Sequence, residues 1–75
     1  MDIEKSKKVL FKNNYGAVKE TEIVTDESGK EYIKYDTRII DGKAVHCYAP
    51  VKYYTIVDEV YELTNIIPTR EIVTL

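Results

Sequence analysis

The pattern of apolar and polar positions predicts strands along most of the chain, and it is clearest over residues 31–40. Side chains alternate there with the period of two that a strand requires. One face of the predicted strand carries Ile33, Tyr35, Thr37 and Ile39. The other face carries Tyr32, Lys34, Asp36, Arg38 and Ile40. We therefore expect a half-buried strand with one apolar face and one mixed face.

A tight turn is predicted directly after this strand, at Asp41-Gly42. Asp-Gly between two apolar-rich runs favours a type I′ hairpin turn, because both central residues of that turn need positive φ. A two-residue loop fixes the strand register and sets Tyr35 opposite Tyr48. We therefore expect Tyr35 and Tyr48 to be partners in the core.

A second hairpin is predicted around residues 26–29, where Gly29 suits a positive φ. A three-residue loop with a bulge at this glycine pairs Ile23 with Ile33 and Glu22 with Lys34. A two-residue loop would oppose Glu22 and Tyr35 instead. We prefer the first register because it opposes unlike charges and stacks apolar side chains.

Residues 51–64 allow two interpretations. Their polar residues recur near the 3.6-residue period of an amphipathic helix. Their apolar residues are almost all β-branched or aromatic, which favours strands. We prefer two strands with a break at Asp58-Glu59, and we keep the helix as the alternative. Elsewhere, we expect residues 1–6 to be frayed, 8–12 to form the first strand and 70–74 to form a short closing strand.

The composition supports a mainly β fold: 24 of the 75 residues are Val, Ile or Thr, seven are Tyr, and only three are Leu and three Ala. We expect a single domain over residues 1–75, an antiparallel meander of five to six strands that forms a small barrel or SH3-like roll. The alternative is an α+β fold with one helix at 51–64 packed on the sheet. A chain this short has a thin stability margin, which makes a homo-oligomer a second expectation.

Charge and targeting signals limit the classes of partner. The net charge of −2 lacks the basic footprint of a nucleic-acid-binding protein, so we expect nucleic acid not to be a partner. Acidic residues concentrate at 20–31 and 58–62, which could mimic a polyanion toward a basic protein.

The chain has no signal peptide pattern and no run long enough to span a membrane, so we expect a cytoplasmic protein without membrane contact. Its bias toward Lys, Ile and Tyr is compatible with an AT-rich phage or mobile-element genome.

Catalytic chemistry is not indicated. His46 and Cys47 are adjacent, and adjacent residues on a strand point to opposite faces, which argues against a Cys–His dyad. One Cys and one His do not supply the usual ligand set of a metal site, and the three isolated glycines do not form a phosphate loop. We therefore expect no enzyme activity, no catalytic residues, no metal and no cofactor.

The tyrosines are the remaining signal, because Tyr and Arg are enriched at interaction hot spots. The predicted binding residues are Tyr32, Lys34, Arg38, Tyr53, Tyr54 and Tyr61. The first hypothesis is a non-enzymatic intracellular protein-interaction module, a regulator or inhibitor that binds a partner protein. The alternative is a homo-oligomer that binds a small nucleotide-like ligand through Tyr and Arg or Lys at a subunit interface.

Overall fold

The computed structural model describes residues 2–75, which form one seven-stranded sheet. The strands are β1 (Ile3–Lys12), β2 (Val18–Asp26), β3 (Glu31–Ile40), β4 (Lys43–Pro50), β5 (Tyr54–Val57), β6 (Val60–Leu63) and β7 (Val73–Thr74). Two 3₁₀ helices, Val51–Tyr53 and Thr69–Glu71, lie in the connections. The strand order is β5-β6-β1-β2-β3-β4-β7. The mainly β prediction is confirmed, whereas the barrel or SH3-like roll is wrong, because β5 and β7 remain separate edges of an open sheet over the described residues.

The sheet is not a pure antiparallel meander, because β1 pairs with β6 in parallel. After β4, the chain passes through the Val51–Tyr53 helix to the opposite edge of the sheet. There β6 lies beside β1 and runs in the same direction. β1 also begins earlier than predicted. Residues 3–6, expected to be frayed, pair with the end of β2, and Met1 lies outside the described residues.

Residues 51–64 are not a helix. They form a single 3₁₀ turn followed by β5, a tight turn and β6. Asp58 and Glu59 occupy the tight turn, and both have positive φ, 50° and 66°. The predicted break at these two residues is confirmed, and the α+β alternative is wrong because the β-branched residues of this segment enter the sheet.

The predicted register between β2 and β3 is confirmed. Ile23 pairs with Ile33, and the Lys34 ammonium lies 3.7 Å from the Glu22 carboxylate. The pairing is short, however, and covers only residues 23–25 of β2 and 31–33 of β3. Beyond these residues the two strands separate.

A β-bulge at Tyr35 changes the register between β3 and β4. The Asp41-Gly42 turn is present, with φ of 52° and 76°, and the predicted pairs next to it are confirmed as far as Asp36 with Cys47. The next pair is Lys34 with Tyr48, so Tyr35 is the extra residue. The predicted Tyr35–Tyr48 pair is therefore wrong.

Apolar side chains fill both faces of the central strands. On one face, here called the Ile33 face, the cluster consists of buried Phe11, Ile23 and Ile33, with Val9, Tyr35, Val51, Tyr54 and Tyr61 packed against them. On the other, the Tyr48 face, it consists of Val24, Tyr32 and Tyr48, with Val73 against them. Each fully buried aliphatic side chain contributes about 1.5–3 kcal/mol. Packed side chains thus stabilise the centre of the sheet on both faces, whereas the ends of the sheet are not covered by these clusters.

The bulge can be tested by paired cysteines in a Cys47→Ala background. Thr37 and His46 form a close pair without mutual backbone hydrogen bonds, since the His46 amide donates to Leu75 O at 2.8 Å. Such pairs bring Cα atoms within about 4.5 Å, which suits a disulfide. We expect Thr37→Cys with His46→Cys to form a disulfide on air oxidation, read as a thiol titration and a mass loss. Tyr35→Cys with Tyr48→Cys should stay reduced, and disulfide formation there would show that the bulge is absent.

Candidate functional site

The end of the β3–β4 hairpin extends beyond the rest of the sheet, and we call residues 37–45 the arm. Pairing with β2 ends at Ile33, and pairing with the C-terminal segment ends with the backbone hydrogen bonds between His46 and Leu75. Within residues 2–75, the two arm strands pair with each other and with no further strand. Isolated two-stranded hairpins are marginally stable, so the arm depends on local contacts.

Those local contacts lie at the base of the arm. The Asp36 carboxylate accepts a hydrogen bond from the Thr37 amide at 2.9 Å and from Arg38 Nε at 3.2 Å. Thr37 Oγ1 lies 3.0 Å from His46 Nδ1 across the two strands. The Asp36 carboxylate raises the pKa of the Arg38 guanidinium. Asp36 thus follows the bulge directly and holds the first residues of the arm in place.

The tip of the arm exposes apolar side chains on both faces. Ile39 is 72% exposed and Ile40 is 50% exposed, and as successive strand residues they point to opposite faces. Arg38 lies next to them with most of its side chain in solvent. Branched aliphatic side chains gain free energy when they leave water, and here nothing in the described chain covers them. Ile39 and Ile40 are therefore the most exposed pair of adjacent aliphatic residues in the sheet.

An exposed aromatic ring lies at the same end of the sheet as the arm tip. β1, β2 and β3 alternate in direction, so the Asn13–Ala17 turn between β1 and β2 is on the same side as the arm tip. Tyr15 in this turn is 95% exposed. The Asn13 side chain fixes the turn by accepting hydrogen bonds from the amides of Tyr15 and Ala17.

The bulge divides the first three predicted binding residues between the two faces. Lys34 pairs with Tyr48, and Asp36 pairs with the preceding residue of β4, so Arg38 and Lys34 point to opposite faces. Lys34 is held by Glu22. Tyr32, expected on an exposed face, is only 8% exposed because it packs in the Tyr48-face cluster.

The other three predicted tyrosines pack against the protein rather than project from it. Tyr54 and Tyr61 lie half-buried against the Ile33-face cluster, and burial raises the pKa of Tyr54 to about 12. The Tyr53 hydroxyl donates a hydrogen bond to Glu71, whose carboxylate is also 3.3 Å from Lys52 Nζ. These three residues connect the two 3₁₀ helices, and Tyr53 thereby links the β4–β5 connection to the β6–β7 connection.

The acidic segment 20–31 is interleaved with lysines of the neighbouring strands. Glu20 lies 3.7 Å from Lys8 of β1, and Glu22 is paired with Lys34 of β3. Glu62 of β6 is likewise 3.5 Å from Lys12. Cross-strand pairing of this kind produces a mixed surface rather than a continuous anionic one.

Two surface grooves open at opposite ends of the sheet. A groove of about 210 Å³ opens where β2 and β3 separate, and there Thr21 Oγ1 donates a 2.5 Å hydrogen bond to Lys34 O. A groove of about 360 Å³ at the opposite end is lined by Lys5, Lys7 and Glu31 among others. Within residues 2–75, no group of three or more His, Cys, Asp or Glu side chains is placed to hold a metal ion. The same part of the chain has no helix long and apolar enough to cross a membrane.

The cluster of Lys52, Tyr53 and Glu71 gives a pH-dependent stability. The Tyr53 hydroxyl, followed by Lys52, holds the pKa of Glu71 below its ordinary value of 4.5. Because the folded-state pKa is lowered, Glu71 stabilises the fold above the unfolded-state value and loses this effect as pH falls through the folded-state value. We expect Glu71→Gln to lower the urea midpoint at about pH 7 and to lower it less at about pH 3. An equal loss at both pH values would contradict this assignment.

Comparison with protein-family models, with curated proteins and with solved structures finds no match at the thresholds applied.

Proposed function

We propose that this chain is a non-enzymatic protein-interaction module that binds a partner protein through its arm. The observation that carries the proposal is the exposure of Ile39 and Ile40 on a hairpin that extends beyond its sheet. Burial of these two aliphatic side chains in a partner is favourable, and the neighbouring Arg38 is a residue type enriched at interaction hot spots. The role of a regulator or inhibitor, and a phage or mobile-element source, stay predictions from the sequence.

The shape of the arm defines the kind of partner surface. Its two isoleucines point to opposite faces, so a groove that encloses the hairpin buries both, whereas a flat surface buries one. The backbone edges of the arm can add hydrogen bonds to a partner strand. Arg38 and Lys43 flank the isoleucines, and Asp41 lies at the tip. We therefore expect an apolar groove with acidic residues at its rim.

An apolar contact also predicts the salt dependence of binding. The sequence suggested polyanion mimicry by residues 20–31, but Glu20 and Glu22 are engaged by Lys8 and Lys34. Surface ion pairs are screened by salt, whereas apolar burial is not. The arm proposal therefore goes with an affinity that depends mainly on apolar burial, and salt screens the contacts of Arg38 and Lys43 with the acidic rim.

The nucleotide-binding alternative stays a prediction, and the geometry does not favour it. It needs tyrosine and cationic side chains on one surface. Tyr32 is buried, and Tyr54 and Tyr61, on the face that Arg38 shares, are half-buried against the Ile33-face cluster.

The test replaces the arm isoleucines by serine and measures affinity for the partner. The wild-type chain serves as bait in a lysate of the organism that encodes it, and the captured protein is then purified and titrated by calorimetry. Burying each isoleucine contributes up to about 1.5–3 kcal/mol, and about 1.4 kcal/mol corresponds to a tenfold change in affinity. We therefore expect Ile39→Ser with Ile40→Ser to weaken binding by more than about tenfold.

Ile66→Ser is the matched control, because Ile66 is 92% exposed and lies outside the arm, between β6 and β7. Its affinity should equal that of the wild type. Thermal melts should show that all three chains remain folded, since the substituted side chains are exposed. Equal affinity of the arm variant and the control would contradict the proposal.

A further inference from the structure

We propose that a second copy of this chain pairs with the outer edge of β5, antiparallel and around a two-fold axis. β5 stands at one end of the strand order and pairs with β6 on its other side. Its outer backbone amides and carbonyls therefore face away from the sheet. Such an edge is a template for strand addition unless the protein blocks it.

β5 is a four-residue edge strand without a charged residue, a proline or a bulge. Its sequence is Tyr-Thr-Ile-Val, and it pairs with β6 in an unbroken register. Natural edges are usually protected by lysine, proline, bulges or very short strands. The opposite edge illustrates such protection, because β7 has only two residues. β5 is therefore the open edge that offers a pairing surface.

Aliphatic side chains extend to this edge on both faces. Val57 pairs with Val60, and Val60 pairs with Leu10, which makes one row across three strands. On the other face Ile56 is 58% exposed although its cross-strand neighbour is Tyr61. A strand added to the edge continues these rows and removes their outer flank from water.

The charges at the two ends of β5 select a second copy in antiparallel orientation. Lys52 precedes the strand, with its ammonium 3.3 Å from Glu71 and 61% of its side chain still exposed, and the acidic turn Asp58-Glu59 follows the strand. Antiparallel pairing centred on Thr55 keeps matching faces together and places the basic end of β5, at Lys52, beside the acidic Asp58-Glu59 turn of the second copy. The two-fold axis makes this contact twice. Parallel pairing would instead oppose like charges.

The test measures the oligomeric state by sedimentation velocity over a range of concentrations, at low and physiological salt. Ile56→Lys adds the charge that protects natural edges, and Ile66→Lys is the matched control. We expect the wild type and Ile66→Lys to dimerise with rising concentration, and Ile56→Lys to remain a folded monomer by circular dichroism. A monomeric wild type, or equal association of the two lysine variants, would overturn the proposal.

A covalent readout identifies the edge itself. In a Cys47→Ala background, Thr55→Cys lies on the two-fold axis and should oxidise to a covalent dimer faster than Ile66→Cys. The arm variant Ile39→Ser with Ile40→Ser should retain the dimer, because β5 and the arm are different surfaces. Loss of the dimer in the arm variant, or equal oxidation rates of the two cysteine variants, would contradict pairing through β5.

Discussion

The bulge at Tyr35 is the constraint on which the rest of this structure depends. Strand side chains alternate with a period of two, so one extra residue exchanges the faces of every residue beyond it. Tyr35 itself packs against the Ile33-face cluster. Arg38 and Ile40 then lie on the face opposite to Lys34. The bulge also lies two residues beyond Ile33, where the pairing of β3 with β2 ends and the hairpin begins to extend alone.

The packed core and the exposed aliphatic side chains consequently lie in different parts of the sheet. The centre is covered on both faces. The contacts of Glu71 with Lys52 and Tyr53 link the β6–β7 connection to the β4–β5 connection. The arm lies beyond this centre, and β5 lies at an edge. An apolar side chain on the arm can therefore be substituted with little effect on the core. The two proposed contact surfaces therefore lie apart from the core and from each other.

The sequence predicted the local features because each has a local physical cause. Asp41-Gly42 and Asp58-Glu59 form tight turns with positive φ, and opposite charges set the register of Glu22 with Lys34. The bulge leaves no mark in the alternation of residues 31–40, and the parallel pairing of β1 with β6 depends on distant contacts. Tyrosine exposure was misjudged because an amphipathic ring packs readily at half burial. The adjacent Ile39-Ile40 was the available signal for the arm, since two neighbouring aliphatic residues cannot both face one core.

Amide hydrogen exchange measured by NMR tests the central claim, that the bulge separates the arm from the packed sheet. Protection reflects the free energy of local opening, which is high in a packed sheet and low in a hairpin supported only by itself. The account predicts the slowest exchange at Ile33, between two paired strands, and exchange at least about tenfold faster at the bonded amides of the arm. Equal protection along the whole of β3 would contradict it.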